Sequence, residues 1–387
     1  MDFSLPEHVV MLRDSVARFV KDRMQREAAR EWDTKNHFPR DVFDELAELG
    51  VMGLTIPEEY GGAGRDILAT LVVIEELSRR SLAIAVPYIM AACYAGMNVV
   101  ECGSERQKRE WLPKIAAGKM LFAYGWTEPD VGADLASVKT TVQRVGDKLV
   151  VNGAKRFCSG AGICDYIFTL ARSDRDAPRY KNLSVVLVPP TAKGVIVEPI
   201  SSLGMKGAAT TDVTFNDVEV PLENLLGDEE GWNKGWGMIT GIGLDVEQLE
   251  VAALGLGIAA AAFEDAWTYA EERGQFGKKI AANQSIRHKL ADMKTQLHAA
   301  RLMTYHAAWL ADNKVPAGVE TSMTKLFVTE AAKSIALECQ TILGAYGYVK
   351  DFDAERYVRD ALLMPIIGGS SAIQRNNIAN WAGLVRG

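Results

Sequence analysis

Between about residues 121 and 221 the chain changes texture, and that change constrains its fold more than any other feature. Inside this stretch the apolar residues gather in short β-branched and aromatic runs split by Gly, Pro, Asn and Asp: KLVVNG, YIFTLA, LSVVLVPP, VIVEPI and DVTFNDVEVP. Outside it they recur at helical spacing. On the N-terminal side Pro6 suits a first helical turn, and Leu12, Val16, Phe19 and Val20 follow in helical period. Further helices are predicted over 40–49, 67–80, 87–102 and 105–117, while the turn chemistry of IPEEYGGAG over 56–64 demands a loop. Beyond Trp232 the period returns in Ile286, Leu290, Met293 and Leu297, and the small residues between Val251 and Phe263 permit close helix packing and an oligomer interface. The predicted class is α+β, with a helical domain over 1–120, a β domain over 121–231 and a helical bundle over 232–387.

Composition narrows the function classes. A length of 387 residues with 48% hydrophobic and 24% charged residues is enough for sizeable cores. The net charge of −7, without any block of five or six basic residues, argues against a nucleic-acid partner. Cys93, Cys102, Cys158, Cys164 and Cys339 form no CxxC pair, a usage that fits a reducing compartment. The acidic residue at position 2 and the amphipathic opening match neither a secretory signal nor a transit peptide, and no uninterrupted apolar run reaches the length of a membrane span. A soluble, cytoplasmic protein with no membrane partner is therefore expected. The five histidines form no HExxH or tight cluster, so no metal is expected.

Two segments carry more specific information. YGWTEPDVGADLASVKT (124–140) and VVNGAKRFCSGAG (150–162) resemble the flavin-binding β domain of the acyl-CoA dehydrogenases. IPEEYGG, DVTFNDVEVPLENLLG, ERGQFGKKIAANQ, QTILGAYGY, RYVRDA and GGSSAIQR agree with that family in order and spacing, so the resemblance spans nearly the whole chain. It implies a barrel-like or sandwich β domain between an N-terminal helical domain and a C-terminal four-helix bundle. It also implies FAD as cofactor, an acyl-CoA substrate, an electron-transfer flavoprotein as partner, and a homotetramer.

The resemblance assigns residues one by one. Tyr124, Trp126, Thr127, Gly132, Phe157, Cys158, Ser159 and Ser370 fall on flavin-contacting positions, with Phe157 and Ser159 where the family usually has Trp and Thr. Arg273, Gln275, Phe276, Gln284, Gln340 and Gly344 fall where the family reaches across a subunit interface to a neighbour's FAD. The residue types suit the task, since an Arg fork matches a diphosphate and Gly allows close backbone approach.

The departures bear on the chemistry. Most straight-chain members carry a catalytic Glu near the C-terminus where this chain has Gly368, followed by Gly369; the Gly368 N–H can still donate to a thioester oxygen. A subset that includes isovaleryl-CoA dehydrogenase, and crotonobetainyl-CoA reductases, places the Glu on a bundle helix instead. In GLDVEQLEVAALG that register belongs to Glu247, with Glu250 one turn on as the reserve. Ala133 replaces a common Ser, and Gln248 stands where relatives often use an Arg for CoA. Tyr88, Met90 and Tyr94 are expected at the acyl pocket. The expected reaction is α,β-dehydrogenation of an acyl-CoA to the trans-2-enoyl-CoA. A same-fold enoyl-CoA reductase, a desulfinase, or a non-catalytic FAD-binding subunit of a mixed oligomer stays open.

Overall fold

The computed structural model describes residues 4–384, with only the backbone described over 242–245. The chain opens with α1 (Glu7–Arg23), α2 (Arg26–Lys35), α3 (Arg40–Ala47) and α4 (Ile67–Ser78). Ten of the twelve residues of α4 are buried, because the helix runs between α1 and the C-terminal bundle and has no wet face. A continuous helical stretch follows: α5 (Leu82–Tyr88), a π-helical turn over Ile89–Ala95, and α6 (Gly96–Cys102). It begins five residues before the predicted start, where the Ser81 side chain caps the Ala83 N–H. Pro87 sits inside it without a backbone donor, directly ahead of the widened π turn. After α7 (Glu105–Ala116) the chain enters the sheet.

Seven strands make one curled sheet: β1 (Phe122–Gly125), β2 (Thr141–Val145), β3 (Lys148–Ser159), β4 (Tyr166–Arg172), β5 (Leu183–Val188), β6 (Val195–Pro199) and β7 (Thr210–Pro221). The order is β1-β4-β2-β3-β7-β6, with β5 also on β4 and β1 parallel to β4. Side chains alternate between two buried faces. Phe122, Phe168 and Leu187 pack under Val99, Trp111 and Leu112 of the helices, while Ala123, Ile167 and Val186 join Val142, Leu149 and Phe215 on the opposite side. β3 bulges between Lys155 and Cys158, which re-aims the intervening side chains.

The last part comprises α8 (Gly235–Ile239), α9 (Ile242–Glu272), the hairpin β8 (Gly274–Gln275) and β9 (Lys278–Lys279), α10 (Gln284–Asp312), α11 (Gly318–Leu343), α12 (Ala354–Ala361) and α13 (Ser371–Trp381). α9 is the axis of the molecule, packed on α11, α10 and α4. Its small residues make this possible: a Cβ on Gly257 would lie 2.0 Å from Ser78 Oγ. Two helical stretches, Leu82–Cys102 and Val246–Glu272, are long and apolar enough to cross a membrane, but 83% and 94% of their apolar windows lie inside the protein core.

Candidate active site

Where α9 meets the π turn, two carboxyl groups stand one helical turn apart. Glu247 and Glu250 line a narrow recess with Cys93, Tyr94, Asn98, Trp126 and Met238. The widened π turn brings Cys93 and Tyr94 to this wall, a use of such turns common at functional sites. Solvent still reaches part of Glu247 at the mouth, whereas Glu250 is fully buried. Burial raises the Glu247 carboxyl to about 7, against the pull of a hydrogen bond with the Tyr94 side chain and the Lys325 charge. Burial and the neighbouring Glu247 charge push Glu250 well above the usual carboxylate range.

The turn that carries Gly368 lies against the same face of α9. A Cβ on Gly368 would lie 2.9 Å from Val251 Cγ2, and Val251 is one turn beyond Glu247. Gly368 and Gly369 both have positive φ, +58° and +79°. Lys325 fastens this turn: its buried Nζ donates to the Met364 carbonyl at 3.1 Å and the Gly369 carbonyl at 2.7 Å. Gln374 Nε2 adds bonds to the Gly368 and Gly369 carbonyls, both at 3.2 Å. Among the described residues no acceptor engages the Gly368 N–H. Ser370 caps α13, its Oγ accepting from the Ile373 N–H.

A second wall comes from the end of β1 and the loop after it. Tyr124 stacks on Phe168 at 5.4 Å and meets Trp126 and Tyr94 edge-on at 4.7 and 5.0 Å. Asn98 Nδ2 donates to the Tyr124 hydroxyl at 2.9 Å. The loop is braced by a fully buried ion pair, Lys155 Nζ to Glu128 Oε1 at 2.9 Å. Lys155 also donates to the Trp126 carbonyl, and the Glu128 carboxylate accepts from the Lys139 and Thr140 N–H groups. The Thr127 carbonyl accepts from the Arg156 N–H. Phe157 occupies the β3 bulge with φ +61°, an unusual backbone for an aromatic residue, and its ring is exposed. Ser159 is buried two residues on, and Gly132 and Ala133 are exposed on the loop.

Several expected residues stand elsewhere. Tyr88 and Met90 belong to the core instead of the recess, and the Tyr88 hydroxyl donates to the Val51 carbonyl. The Gln248 side chain turns into the bundle and accepts from Ser322 at 3.4 Å. The Cys158 side chain is fully buried in the β core, leaving only its backbone as a possible contact. The stretch from Leu82 to Val99 is buried on nearly every side, so most of its side chains pack into the core and only a few reach the recess. Arg273, Gln275, Phe276, Gln284, Gln340 and Gly344 do not line the recess. Most gather around the hairpin after α9, where the Arg273 guanidinium lies 5.7 Å from the Tyr346 ring centre and Phe276 is 99% exposed.

Sequence reasoning missed Cys93, Asn98, Glu128, Lys155, Met238 and Lys325. For Lys325 a signal existed, since Thr321, Val328 and Ala332 flank it on one helical face that proves buried. A flavin needs an aromatic wall and donors for its polar edge. The exposed Phe157 ring supplies the first; the buried Trp126 Nε1–H, which has no partner among the described residues, and the open space beside Gly132 fit the second.

The N-terminal, middle and C-terminal domain models of the acyl-CoA dehydrogenases match residues 6–119, 123–218 and 233–383. The chain belongs to the acyl-CoA dehydrogenase family. As a member it is an FAD-dependent oxidoreductase that acts on acyl-CoA. An acyl-CoA dehydrogenase of Bacillus subtilis (strain 168) is 37% identical over 97% of this chain and 98% of its own length. A subunit of the caffeyl-CoA reductase-Etf complex of Acetobacterium woodii is 35% identical over 94% of this chain and 95% of its own. The structure of butyryl-CoA dehydrogenase from Megasphaera elsdenii superposes with a TM-score of 0.93 at 30% identity, covering 99% of this chain and all of that one.

Proposed function

We propose that this acyl-CoA dehydrogenase removes hydrogen from the α and β carbons of an acyl-CoA thioester, with Glu247 as base, and passes the electrons to an electron-transfer flavoprotein. One observation carries the reading. Glu247 is the carboxyl at the mouth of the recess, raised by burial to about 7, with the Gly368 turn lying against its helix face. A base poised near neutrality is matched to abstraction of an α-proton.

The chain's own groups divide the work. The Gly368 N–H donates to the thioester oxygen and so acidifies the α-carbon. Glu247 then takes the α-proton, and Tyr94 and Lys325 steady the resulting balance of charge. Trp126, Thr127, Phe157 and Ser159 hold the flavin, and Arg273, Gln275, Phe276, Gln284, Gln340 and Gly344 reach a neighbouring protomer's FAD in a homotetramer. When bound, FAD supplies the acceptor for the β-hydrogen. The same groups serve the reverse direction with Glu247 starting protonated, a reading favoured by the resemblance to the caffeyl-CoA reductase-Etf complex subunit.

Anaerobic mixing with short acyl-CoAs tests the proposal. Bleaching of the flavin with release of the enoyl-CoA is the expected result. Turnover with the flavin still oxidised would point to a desulfinase-like reaction and overturn it.

A further inference from the structure

Glu250 is the carboxyl of the recess to which the proposed reaction gives no part. It is fully buried, and among the described residues neither carboxyl oxygen has a hydrogen-bond partner. Buried polar atoms without partners are rare in folded proteins, and each asks for an explanation. The usual explanation for a buried carboxylate is a cation, but among the described residues no Lys or Arg pairs with it. The Cys93 thiol beside it makes no bond of hydrogen-bond geometry, Glu247 repels its charge, and the other ionisable groups near it, Tyr88, Tyr94 and Tyr124, are uncharged phenols whose ionisation its charge further opposes. A neutral carboxylic acid remains, one that can both donate and accept.

Its position gives the group a use. Glu250 lies three residues beyond Glu247 on α9, about one helical turn or roughly 5 Å along the axis, on a similar face. Glu247 is reached by solvent and Glu250 is not, so Glu250 marks the deeper end of the recess. With the α-carbon of a thioester at Glu247, an acyl tail that runs into the deeper end of the recess would reach Glu250.

We infer that Glu250 is a specificity residue: it recognises a short acyl chain that carries a neutral hydrogen-bonding group, such as a hydroxyl, about one helical turn beyond the α-carbon. The inference rests on the acyl-CoA reading of the recess. A plain hydrocarbon tail leaves the carboxyl unpaired, whereas a hydroxyl tail gives and receives a hydrogen bond there. Sites built to bind a hydroxyl reject the analogue lacking it far more strongly than apolar pockets reject an added methylene.

The test compares valeryl-CoA with ω-hydroxyvaleryl-CoA on the FAD-loaded wild type, Glu250→Gln and Glu250→Leu. Flavin reduction gives kcat/KM, and calorimetry gives affinity independently of turnover. Wild type should favour the hydroxy thioester by roughly 10–100-fold. Glu250→Gln, still a donor and acceptor, should keep that order, and Glu250→Leu, similar in size and apolar, should reverse it. Equal ratios in wild type and Glu250→Leu would overturn the inference, even with normal bleaching that leaves the dehydrogenase reading intact. Binding that keeps the hydroxy preference without any bleaching would support the inference and sink the dehydrogenase reading. A preference reserved for ω-aminovaleryl-CoA would overturn the neutral-acid assignment, because it requires an ionised Glu250.

Discussion

Glu247 carries a prediction with a definite sign. Its carboxyl ionises at about 7 in the folded protein, so flavin reduction by substrate should rise as pH increases through that value. Glu247→Gln should keep the fold and FAD, lose the pH dependence, and reduce the flavin roughly 10²–10⁴-fold more slowly in stopped-flow measurements. Stability follows the same shift: a carboxyl raised by folding favours the folded state least once pH exceeds the folded value. Wild type should therefore lose stability relative to Glu247→Gln as pH climbs from the ordinary carboxylate range through 7, as urea titrations at several pH values would show. Gly368 gives a second. Its φ of +58° and the nearby Val251 methyl oppose a side chain there. In the Glu247→Gln background, Gly368→Glu should recover activity poorly alone and better with Val251→Ala, read as the rate of flavin bleaching. Sequence placed Glu247 through a register match on α9. The helical period could place Lys325 on a buried face but not show its partners, the Met364 and Gly369 carbonyls, which belong to a turn more than thirty residues away.

At the scale of elements, the legible features were those set by local period. The helices on both flanks and the strand runs between them announce themselves through spacing and β-branched composition, and the α+β reading follows. The π turn over Ile89–Ala95 was not legible, because a single widened turn leaves the apolar pattern intact while rotating what it displays. Within this stretch Tyr94 faces the recess, whereas Tyr88 and Met90 pack into the core. The Lys155–Glu128 pair was equally hidden, since it joins β3 to the loop after β1. Removing one partner of a buried pair leaves an uncompensated charge, which typically costs ~3–5 kcal/mol. Glu128→Gln should destabilise the protein by an amount of that order in denaturant titrations. Lys155→Met with Glu128→Leu together should cost less, because no lone charge remains. A larger loss in the double variant would show that the pair's hydrogen bonds to the Trp126 carbonyl and the Lys139 and Thr140 amides dominate.

For the whole molecule, the hairpin after α9 is the telling feature. Phe276 is 99% exposed with φ +50° at its tip, and the outer faces of the bundle expose Trp267, Trp309 and Trp381. Apolar surface of this extent fits contact between protomers. Native mass spectrometry should find a tetramer with bound FAD, and Arg273→Ala should lower its FAD content. If each FAD is gripped partly by another protomer, cofactor occupancy and assembly are two readings of one equilibrium. Dilution should then strip FAD from the protein, and added FAD should shift the mass distribution back toward the tetramer. An assay run at low enzyme concentration without free FAD would lose activity over time with every protomer still folded.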